Sequence, residues 1–388
     1  MEFNSIISNV APSKSVTLLS KAKEMQKTDP DIINLTGGEP DFPTPKPICD
    51  VVTKYLAMGY THYTDSKGDP ELRERLSVKL KEDNNAPYSA DNILITPGGK
   101  YAVYLAVRAI LNSGDEALWL TPGWVSYPSI IEMAGGKPVA VHLKYDEDYR
   151  ITAQALESAA TEKTKLLIIN YPNNPTGKIL TESDISELTK FLRNHPDIYV
   201  ISDEIYEKIV YDGNKSVSMA SFPEFFDRVV IVNGFSKCAA MTGWRVGYLA
   251  CGPKLYKVVM KLFQHTMSCT SGFIQKGALK ALDCADASEE MRAAYERRRN
   301  LLAEGIKAIP GVEFITPPGA FYAWLKFDTD RGSEEICNEL LEKAKIAGVP
   351  GNAYGEEEKT CVRFSFASSD EELKRMLVNL DLYARSYL

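Results

Sequence analysis

The sequence lacks the patterns that mark several large classes of protein. No apolar run in its 388 residues approaches the roughly 20 residues that a membrane-spanning helix needs. The first residues contain no basic stretch followed by an apolar core, so we expect no secretory signal and a cytoplasmic protein. With 44% hydrophobic and 25% charged residues and no low-complexity segment, the composition is typical of a folded globule.

Signatures of metal, disulfide and nucleic-acid binding are also missing. The four histidines show no i, i+4 pairing, so no metal site is expected. The seven cysteines are odd in number and include no CxxC pair, which favours reduced thiols. The net charge of −7 is spread along the chain, which argues against a nucleic-acid-binding surface.

Short apolar runs alternate with amphipathic stretches through the middle of the chain. The runs are NILIT (92–96), ALWL (117–120), KLLIIN (165–170), IYVIS (198–202) and VVIVN (229–233). Strands that are covered on both faces have this composition, and the spacing of apolar residues at 101–111 and 182–193 predicts helices between them. The pattern predicts an α/β/α sandwich around a mostly parallel sheet.

Beyond residue 285 the pattern changes to that of a smaller α+β domain. A charged helix is predicted at 289–307 and another at 334–347, and FYAWLKF and CVRFSFA read as strands. A chain of this length exceeds what one core usually serves. We therefore expect an N-terminal arm with part of the small domain (1–47), a large ligand-binding domain (48–285) and a small C-terminal domain (286–388).

Polar residues collect directly after the predicted strands. Ligands of open α/β sheets bind beyond the carboxyl ends of the strands, so these residues are candidates for a site. They are Gly99, Lys100, Asn174, Asp203, Tyr206, Ser236 and Lys237. A lysine at a strand end can form a Schiff base with a carbonyl cofactor and afterwards move a proton.

The stretch GFSKCAAMTGWRVG at 234–247 resembles the lysine signature of the class I/II, fold-type I, pyridoxal-phosphate-dependent aminotransferases, of the aspartate/aromatic type. The resemblance extends from TGGEPDFPTP to VRFSFA and includes PGAFY at 318–322. It implies pyridoxal 5′-phosphate held by Lys237 as a Schiff base within 48–285, with its phosphate bound by Arg245. Gly234 departs from several members of the family, which place a serine there on the phosphate.

The same resemblance implies further cofactor contacts. Asp203 would pair with the pyridine nitrogen, so that Lys237, Asp203 and Tyr206 form the catalytic set. Tyr206 and Asn174 would bind the phenolic oxygen, and Trp124 in TPGWVSYP would stack on the ring. Ser236 is expected at the cofactor as well.

Phosphate and substrate contacts come from other motifs. PGGK at 97–100 opens a predicted helix, where Gly99 and Lys100 would cradle the phosphate. It lacks the full spacing of a nucleotide P-loop, and no GxGxxG follows a strand, so a nicotinamide dehydrogenase is disfavoured. Arg363 and Gly38 resemble residues at the substrate carboxylate, and Trp124 and Asn174 are expected to contact the substrate as well. Tyr63 resembles a tyrosine that reaches the phosphate of a neighbouring subunit, which implies a homodimer with composite sites.

These motifs predict an enzyme that moves an amino group from an L-amino acid to a 2-oxo acid by a ping-pong mechanism. They do not separate it from a carbon–sulfur β-lyase or another elimination enzyme of the same superfamily. A non-catalytic regulator of the same fold is a more distant alternative, because the N-terminal segment leaves no room for a DNA-binding extension. Candidates for contacts with the substrate side chain are Lys14, Ser15, Arg108, Tyr127, Phe321 and the loop 264–271.

Overall fold

A computed structural model describes residues 3–12 and 14–388, and it leaves out the side chains of 14–19 and 21, so the candidates Lys14 and Ser15 lie outside the described side chains. The described helices are Ser5–Asn9 (α1), Lys14–Thr28 (α2), Lys46–Ala57 (α3), Pro70–Asn84 (α4), Gly99–Ile110 (α5), Tyr127–Met133 (α6), Ala153–Ala159 (α7), Glu182–Asn194 (α8), Pro253–Thr266 (α9), Gly272–Ala281 (α10), Ala285–Ile306 (α11), Ser333–Ala344 (α12) and Asp370–Tyr387 (α13). The strands are Ile33–Asn34 (β1), Ile93–Thr96 (β2), Glu116–Thr121 (β3), Lys137–His142 (β4), Thr164–Asn170 (β5), Tyr199–Asp203 (β6), Val229–Gly234 (β7), Gly247–Cys251 (β8), Val312–Phe314 (β9), Tyr322–Phe327 (β10), Ile346–Ala347 (β11), Val349–Pro350 (β12) and Cys361–Ser365 (β13).

A seven-stranded sheet forms the centre of the molecule, in the order β2-β8-β7-β6-β5-β3-β4. Strand β8 runs antiparallel to both of its neighbours, and the other pairs are parallel. Alternate residues of one strand belong to different apolar clusters: Leu118 and Leu120 face one, Ala117 and Trp119 the other. Both faces of the sheet are thus covered, and the predicted α/β/α sandwich with a mostly parallel sheet is confirmed.

Two strands of this sheet and one helix end differ from the sequence prediction. Strand β4 is a partly exposed edge strand that contains a proline, and β8 is antiparallel, so neither matches the pattern of a buried parallel strand. The predicted helix 334–347 ends at Ala344. Lys345 adopts a left-handed conformation with φ 59°, and Ile346–Ala347 then pairs with β1.

The C-terminal part contains a four-stranded antiparallel sheet in the order β12-β13-β10-β9. Apolar residues of α12 and α13, including Leu340 and Leu380, pack against it. Because β1 pairs with β11, part of the N-terminal segment lies against this C-terminal part. The proposed bounds 1–47, 48–285 and 286–388 stay a prediction.

Within the described ranges 3–12 and 14–388, none of the helices combines the length and the apolar character that crossing a bilayer requires. The same residues contain no group of three or more His, Cys, Asp or Glu side chains arranged to hold a metal ion.

Candidate active site

A cavity of about 330 Å³ lies at the carboxyl edge of the large sheet. The structure brings eleven of the predicted site residues to its wall. They are Gly38, Gly99, Lys100, Trp124, Asn174, Asp203, Tyr206, Ser236, Lys237, Arg245 and Arg363. Tyr63 is the exception, because it lies outside this wall and is 89% exposed.

Lys237 follows the end of β7 and donates a hydrogen bond to the backbone carbonyl of Gly38. Its ammonium lies 5.8 Å from the ring centroid of Tyr206. Burial lowers the pKa of Lys237 to about 8, and the cationic side chains of Arg363 and Arg245 act in the same direction. An amine that loses its proton near neutral pH is a competent nucleophile towards a carbonyl carbon.

Asp203 is the last residue of β6 and is 7% exposed. The hydroxyl of Tyr127 donates to its Oδ2 at 2.8 Å, and the backbone N–H of Ile205 donates to its Oδ1 at 3.3 Å. Burial raises the pKa of Asp203 to about 6, while the hydrogen bond from Tyr127 opposes that rise. The two hydrogen bonds thus hold the carboxylate in place and offset part of the cost that burial imposes on its anionic form.

An anion cradle lies where α5 begins. The first N–H groups of a helix have no acceptor within it, and α5 begins at Gly99 on the cavity wall. Gly98 has a φ of +90°, and a Cβ there would lie 2.7 Å from Nη2 of Arg245. Only a glycine lets Arg245 come this close to the helix, so the cation and the helix end together form a place suited to an anion.

Arg363 is 3% exposed and has no carboxylate partner among the described residues. Its Nη1 donates to Oδ1 of Asn174 at 3.0 Å and its Nη2 to the carbonyl of Thr36 at 2.7 Å. No atom of the described residues accepts a hydrogen bond from its Nε. A buried guanidinium with only neutral partners is costly unless it binds an anion, and an internal ion pair does not account for Arg363.

Sequence reasoning missed several residues of the cavity wall. They are Thr36, Asn170, Ile205, Thr242 and Tyr322, together with Tyr127, which was considered only for the substrate side chain. Tyr322 lies in the PGAFY match, and its hydroxyl is 2.6 Å from that of Tyr206. Asn170 is the polar last residue of a predicted strand, and that position alone makes it a candidate for the site. Arg108 is not in the wall, since its Nη1 donates to the carbonyl of Ala134 at 3.2 Å.

Residues 30–380 match the family model described as aminotransferase class I and II. The chain belongs to this family. The match covers both sheets and the cavity between them, so the predicted family is confirmed.

Individual relatives are similar to this aminotransferase over nearly its whole length. A probable aspartate/prephenate aminotransferase of Aquifex aeolicus is 40% identical, with 95% of this chain and 94% of the relative covered. The aspartate aminotransferase of Bacillus subtilis is 38% identical, with 98% of each covered. The solved structure of the Thermus thermophilus aspartate aminotransferase with maleate superposes with a TM-score of 0.93 at 34% identity, covering 98% of this chain and 99% of that one.

A further structure carries a different name. The aromatic aminotransferase of Pyrococcus horikoshii superposes with a TM-score of 0.89 at 37% identity, covering 95% of this chain and 99% of that one. These similarities confirm the predicted fold-type I architecture and the predicted amino-group transfer. The elimination enzyme considered from the sequence is not favoured by them.

Proposed function

We propose that this aminotransferase binds pyridoxal 5′-phosphate in the 330 Å³ cavity and uses an acidic amino acid, with aspartate as the first candidate, as donor to a 2-oxo acid. The observation that carries the proposal is the buried Arg363, which meets no carboxylate in the part of the chain that the structure describes and faces the same cavity as Lys237 and Asp203. The names of the relatives support the choice of aspartate.

The side chains on the wall fit the chemical groups of the cofactor. Lys237, with its lowered pKa, would bind the aldehyde carbon, and Asp203 would bind the ring nitrogen. Tyr206 and Asn174 would bind the phenolic oxygen, and Trp124 would pack on the ring. The phosphate would be held by the N–H groups at the start of α5, the hydroxyl of Ser236, Lys100 and Arg245.

When bound, pyridoxal phosphate supplies an electron sink that makes the substrate Cα–H bond acidic. Asp203 keeps a proton on the ring nitrogen by placing a negative charge beside it. With the substrate bound, the amine of Lys237 would accept the proton from the substrate Cα as a general base and return it to the cofactor–substrate pair as a general acid. Arg363 binds the substrate α-carboxylate and so fixes which bond at Cα faces Lys237.

The cations of the cavity match the anionic groups of an amino acid and of the cofactor. Arg363 matches the α-carboxylate and Arg245 matches the phosphate. Lys100 adds a second cation for the phosphate, and its ammonium lies 5.0 Å from the ring centroid of Trp124. Because the phosphate and the α-carboxylate match these cations, the choice of aspartate rests on the names of the relatives.

A homodimer with composite active sites is part of the proposal. Arg245 is exposed in the single chain, although a phosphate contact gains strength when water is excluded. Tyr63 presents an exposed ring and hydroxyl on the surface. A second copy that placed its Tyr63 over the first copy's phosphate site would bury both groups.

Half-reactions followed by cofactor absorbance test the proposal. Aspartate should convert the bound cofactor to its amine form without any acceptor, and a 2-oxo acid should reverse the change. Lys237→Ala should show no turnover, with Lys254→Ala, an exposed lysine on α9, as the matched control. Release of pyruvate and ammonia from an amino acid without an acceptor, or full activity of Lys237→Ala, would contradict it.

A further inference from the structure

A chain of three buried side chains joins the large sheet to the strand that carries Arg363. Trp324 Nε1 donates to the hydroxyl of Tyr149 at 2.6 Å, and that hydroxyl donates to Oε2 of Glu358 at 3.2 Å. Tyr149, Trp324 and Glu358 are 3%, 2% and 4% exposed. Tyr149 lies between β4 and α7, whereas Trp324 is on β10 and Glu358 precedes β13. We call these three residues the Tyr149 latch.

Trp324 is the member of the latch that contacts the surroundings of Arg363. In the antiparallel pair of β10 and β13, Trp324 is directly opposite Arg363. The ring of Tyr354 packs edge-on against Trp324 with 5.5 Å between centroids, and the Arg363 guanidinium lies 5.2 Å from the Tyr354 centroid. The position of the Trp324 indole therefore affects the position of the Tyr354 ring that the Arg363 guanidinium contacts.

The loop that contains Glu358 also contacts the cavity from a second side. The backbone N–H of Gly123 donates to the carbonyl of Tyr354 at 2.9 Å, directly before Trp124. A Cβ on Gly355 would lie 2.9 Å from Cβ of Thr121, so the loop lies close against the end of β3. Residues 354–358 thus form a seam with the large sheet, and the latch fixes one end of it.

The latch is better shielded from solvent than the ion pair that lies near it. Its three groups are buried, so a lost partner leaves a donor or acceptor that water does not replace. The nearby ion pair of Lys326 with Asp146, at 3.1 Å, has an Asp146 side chain that is 84% exposed. Exposed ion pairs of this kind contribute little to the stability of a contact because solvent screens their charges.

We propose that Tyr149 is a positioning residue: by holding Trp324 and Glu358, it sets where the strand of Arg363 lies relative to the large sheet, and hence how well Arg363 meets the substrate carboxylate. This inference rests on the proposed role of Arg363. The hydrogen bonds define one position along the seam, because their strength falls steeply with distance and angle.

The consequence for catalysis falls mainly on binding, because a slightly shifted Arg363 still holds the carboxylate and so still orients Cα towards Lys237. Donor and acceptor share the α-carboxylate that Arg363 would hold, and they differ in the group that meets the cofactor. A displaced Arg363 should therefore weaken the binding of both substrates by the same factor. The groups around Lys237 and Asp203 are left unchanged.

The test is Tyr149→Phe in the cofactor-loaded enzyme. It removes one hydroxyl and both hydrogen bonds of the latch. We expect KM for the amino donor and KM for the 2-oxo acceptor to rise together, by roughly threefold to tenfold, with kcat changed by less than about twofold. The pH titration of the cofactor absorbance should not move. Unchanged KM values, a rise for only one substrate or a shifted absorbance titration would overturn the inference.

Neighbouring variants separate the latch from a general loss of structure. Tyr145→Phe removes a hydroxyl from the same seam but not from the latch, so its KM values should match the wild type. Glu358→Gln keeps an oxygen that accepts from Tyr149 and should also match, whereas Glu358→Ala should raise both KM values as Tyr149→Phe does. An equal rise in the Gln and Ala variants would assign the effect to lost charge and overturn the hydrogen-bonded chain.

Arg363→Lys distinguishes failure of the inference from failure of the proposed function. If Arg363→Lys raises both KM values and Tyr149→Phe does not, the carboxylate site stands and the latch is overturned. If Arg363→Lys leaves both KM values unchanged, the proposed role of Arg363 is itself wrong, and the positioning role of Tyr149 falls with it.

Discussion

Two consecutive acidic residues at the end of β6 have opposite surroundings. Asp203 faces the cavity and accepts from Tyr127, whereas Glu204 is turned away from it and accepts from Ser202 at 2.8 Å and Ser218 at 2.6 Å. This follows from the alternation of side chains along a strand. One carboxylate is thus available to a ligand, and the other belongs to the interior.

The hydroxyl of Tyr127 donates a hydrogen bond to Asp203 that lowers the pKa of this carboxyl group. Tyr127→Phe should raise that pKa further above its value of about 6, so that less Asp203 is ionised near neutral pH. We expect the affinity of the apoenzyme for pyridoxal phosphate to fall about tenfold near pH 7, and the loss of affinity on acidification to begin at higher pH.

Cofactor titrations of the apoenzyme at a series of pH values measure this effect. Tyr256→Phe is the matched control, because it removes a hydroxyl that donates to the carbonyl of Ile93 outside the cavity. Identical pH profiles for the wild type and Tyr127→Phe would show that Tyr127 does not tune Asp203.

The second residue-level prediction concerns Glu204, which is 1% exposed and whose pKa burial raises from 4.5 to about 7. The folded protein retains this proton between those two pH values, whereas the unfolded chain releases it. The contribution of Glu204 to stability is therefore lost as the pH rises through this window, by about 1.4 kcal/mol per pH unit.

Thermal unfolding of the apoenzyme between about pH 5 and about pH 8 checks the sign. The Tm of Glu204→Gln, which does not titrate, should fall less with rising pH than that of the wild type. Glu74→Gln changes an exposed glutamate of α4 and should follow the wild type. A wild type and Glu204→Gln with parallel curves would contradict the assignment.

At the level of elements, the start of α5 combines a helix end with an arginine from a distant segment. The arginine, Arg245, approaches the helix end at Gly98, where a Cβ would lie 2.7 Å from its Nη2. Arg245 itself has a φ of 56°, and its Nη1 donates to the carbonyl of Thr242 at 2.8 Å. The shape of this turn, more than the helix alone, makes the anion cradle.

Gly98→Ala should disturb the cradle by displacing Arg245. We expect the affinity for pyridoxal phosphate to fall about tenfold or more, and binding of inorganic phosphate to the apoenzyme to weaken in parallel. Gly114→Ala is the control for backbone strain alone, because Gly114 has a φ of +86° with nothing within 4 Å of an added Cβ. Equal cofactor affinities for the two variants would show that the contact with Arg245 is unimportant.

At the level of the whole molecule, the proposed dimer predicts that two inactive variants recover activity when their chains are mixed. Lys237→Ala lacks the catalytic amine, and Tyr63→Ala lacks the group proposed to reach the partner's phosphate site. In a hybrid dimer, one of the two sites carries both changes and the other carries neither. Random mixing should therefore restore about a quarter of wild-type activity, whereas each variant alone should have little at limiting cofactor.

Co-expression of the two variants followed by activity measurement tests this, with the Lys237→Ala and Lys254→Ala pair as a control. That control pair should give only the activity expected of its Lys254→Ala chains. No gain of activity in the first mixture, together with a monomeric protein in solution, would reject the composite site.

Local signals in the sequence determined the family, the large sheet and most of the cavity wall. Strands β2, β3, β5, β6 and β7 are apolar on both faces, and the polar residues that follow them necessarily meet at the same sheet edge. Seven of the predicted site residues line the cavity for this reason: Gly99, Lys100, Asn174, Asp203, Tyr206, Ser236 and Lys237. The family motifs supplied Arg363 and Gly38, which no strand-edge argument reaches.

Only the tertiary structure decided which residues, distant in sequence, contact the residues of the site. Tyr127 meets Asp203 across 76 residues, and Arg363 meets Asn174 across 189. Trp324 and Glu358 meet at Tyr149, a residue that no motif singled out. Hydrophobic periodicity specifies which face of a strand or helix is buried, but not which side chain of another element it meets. That choice depends on how the two sheets pack, which no local pattern encodes.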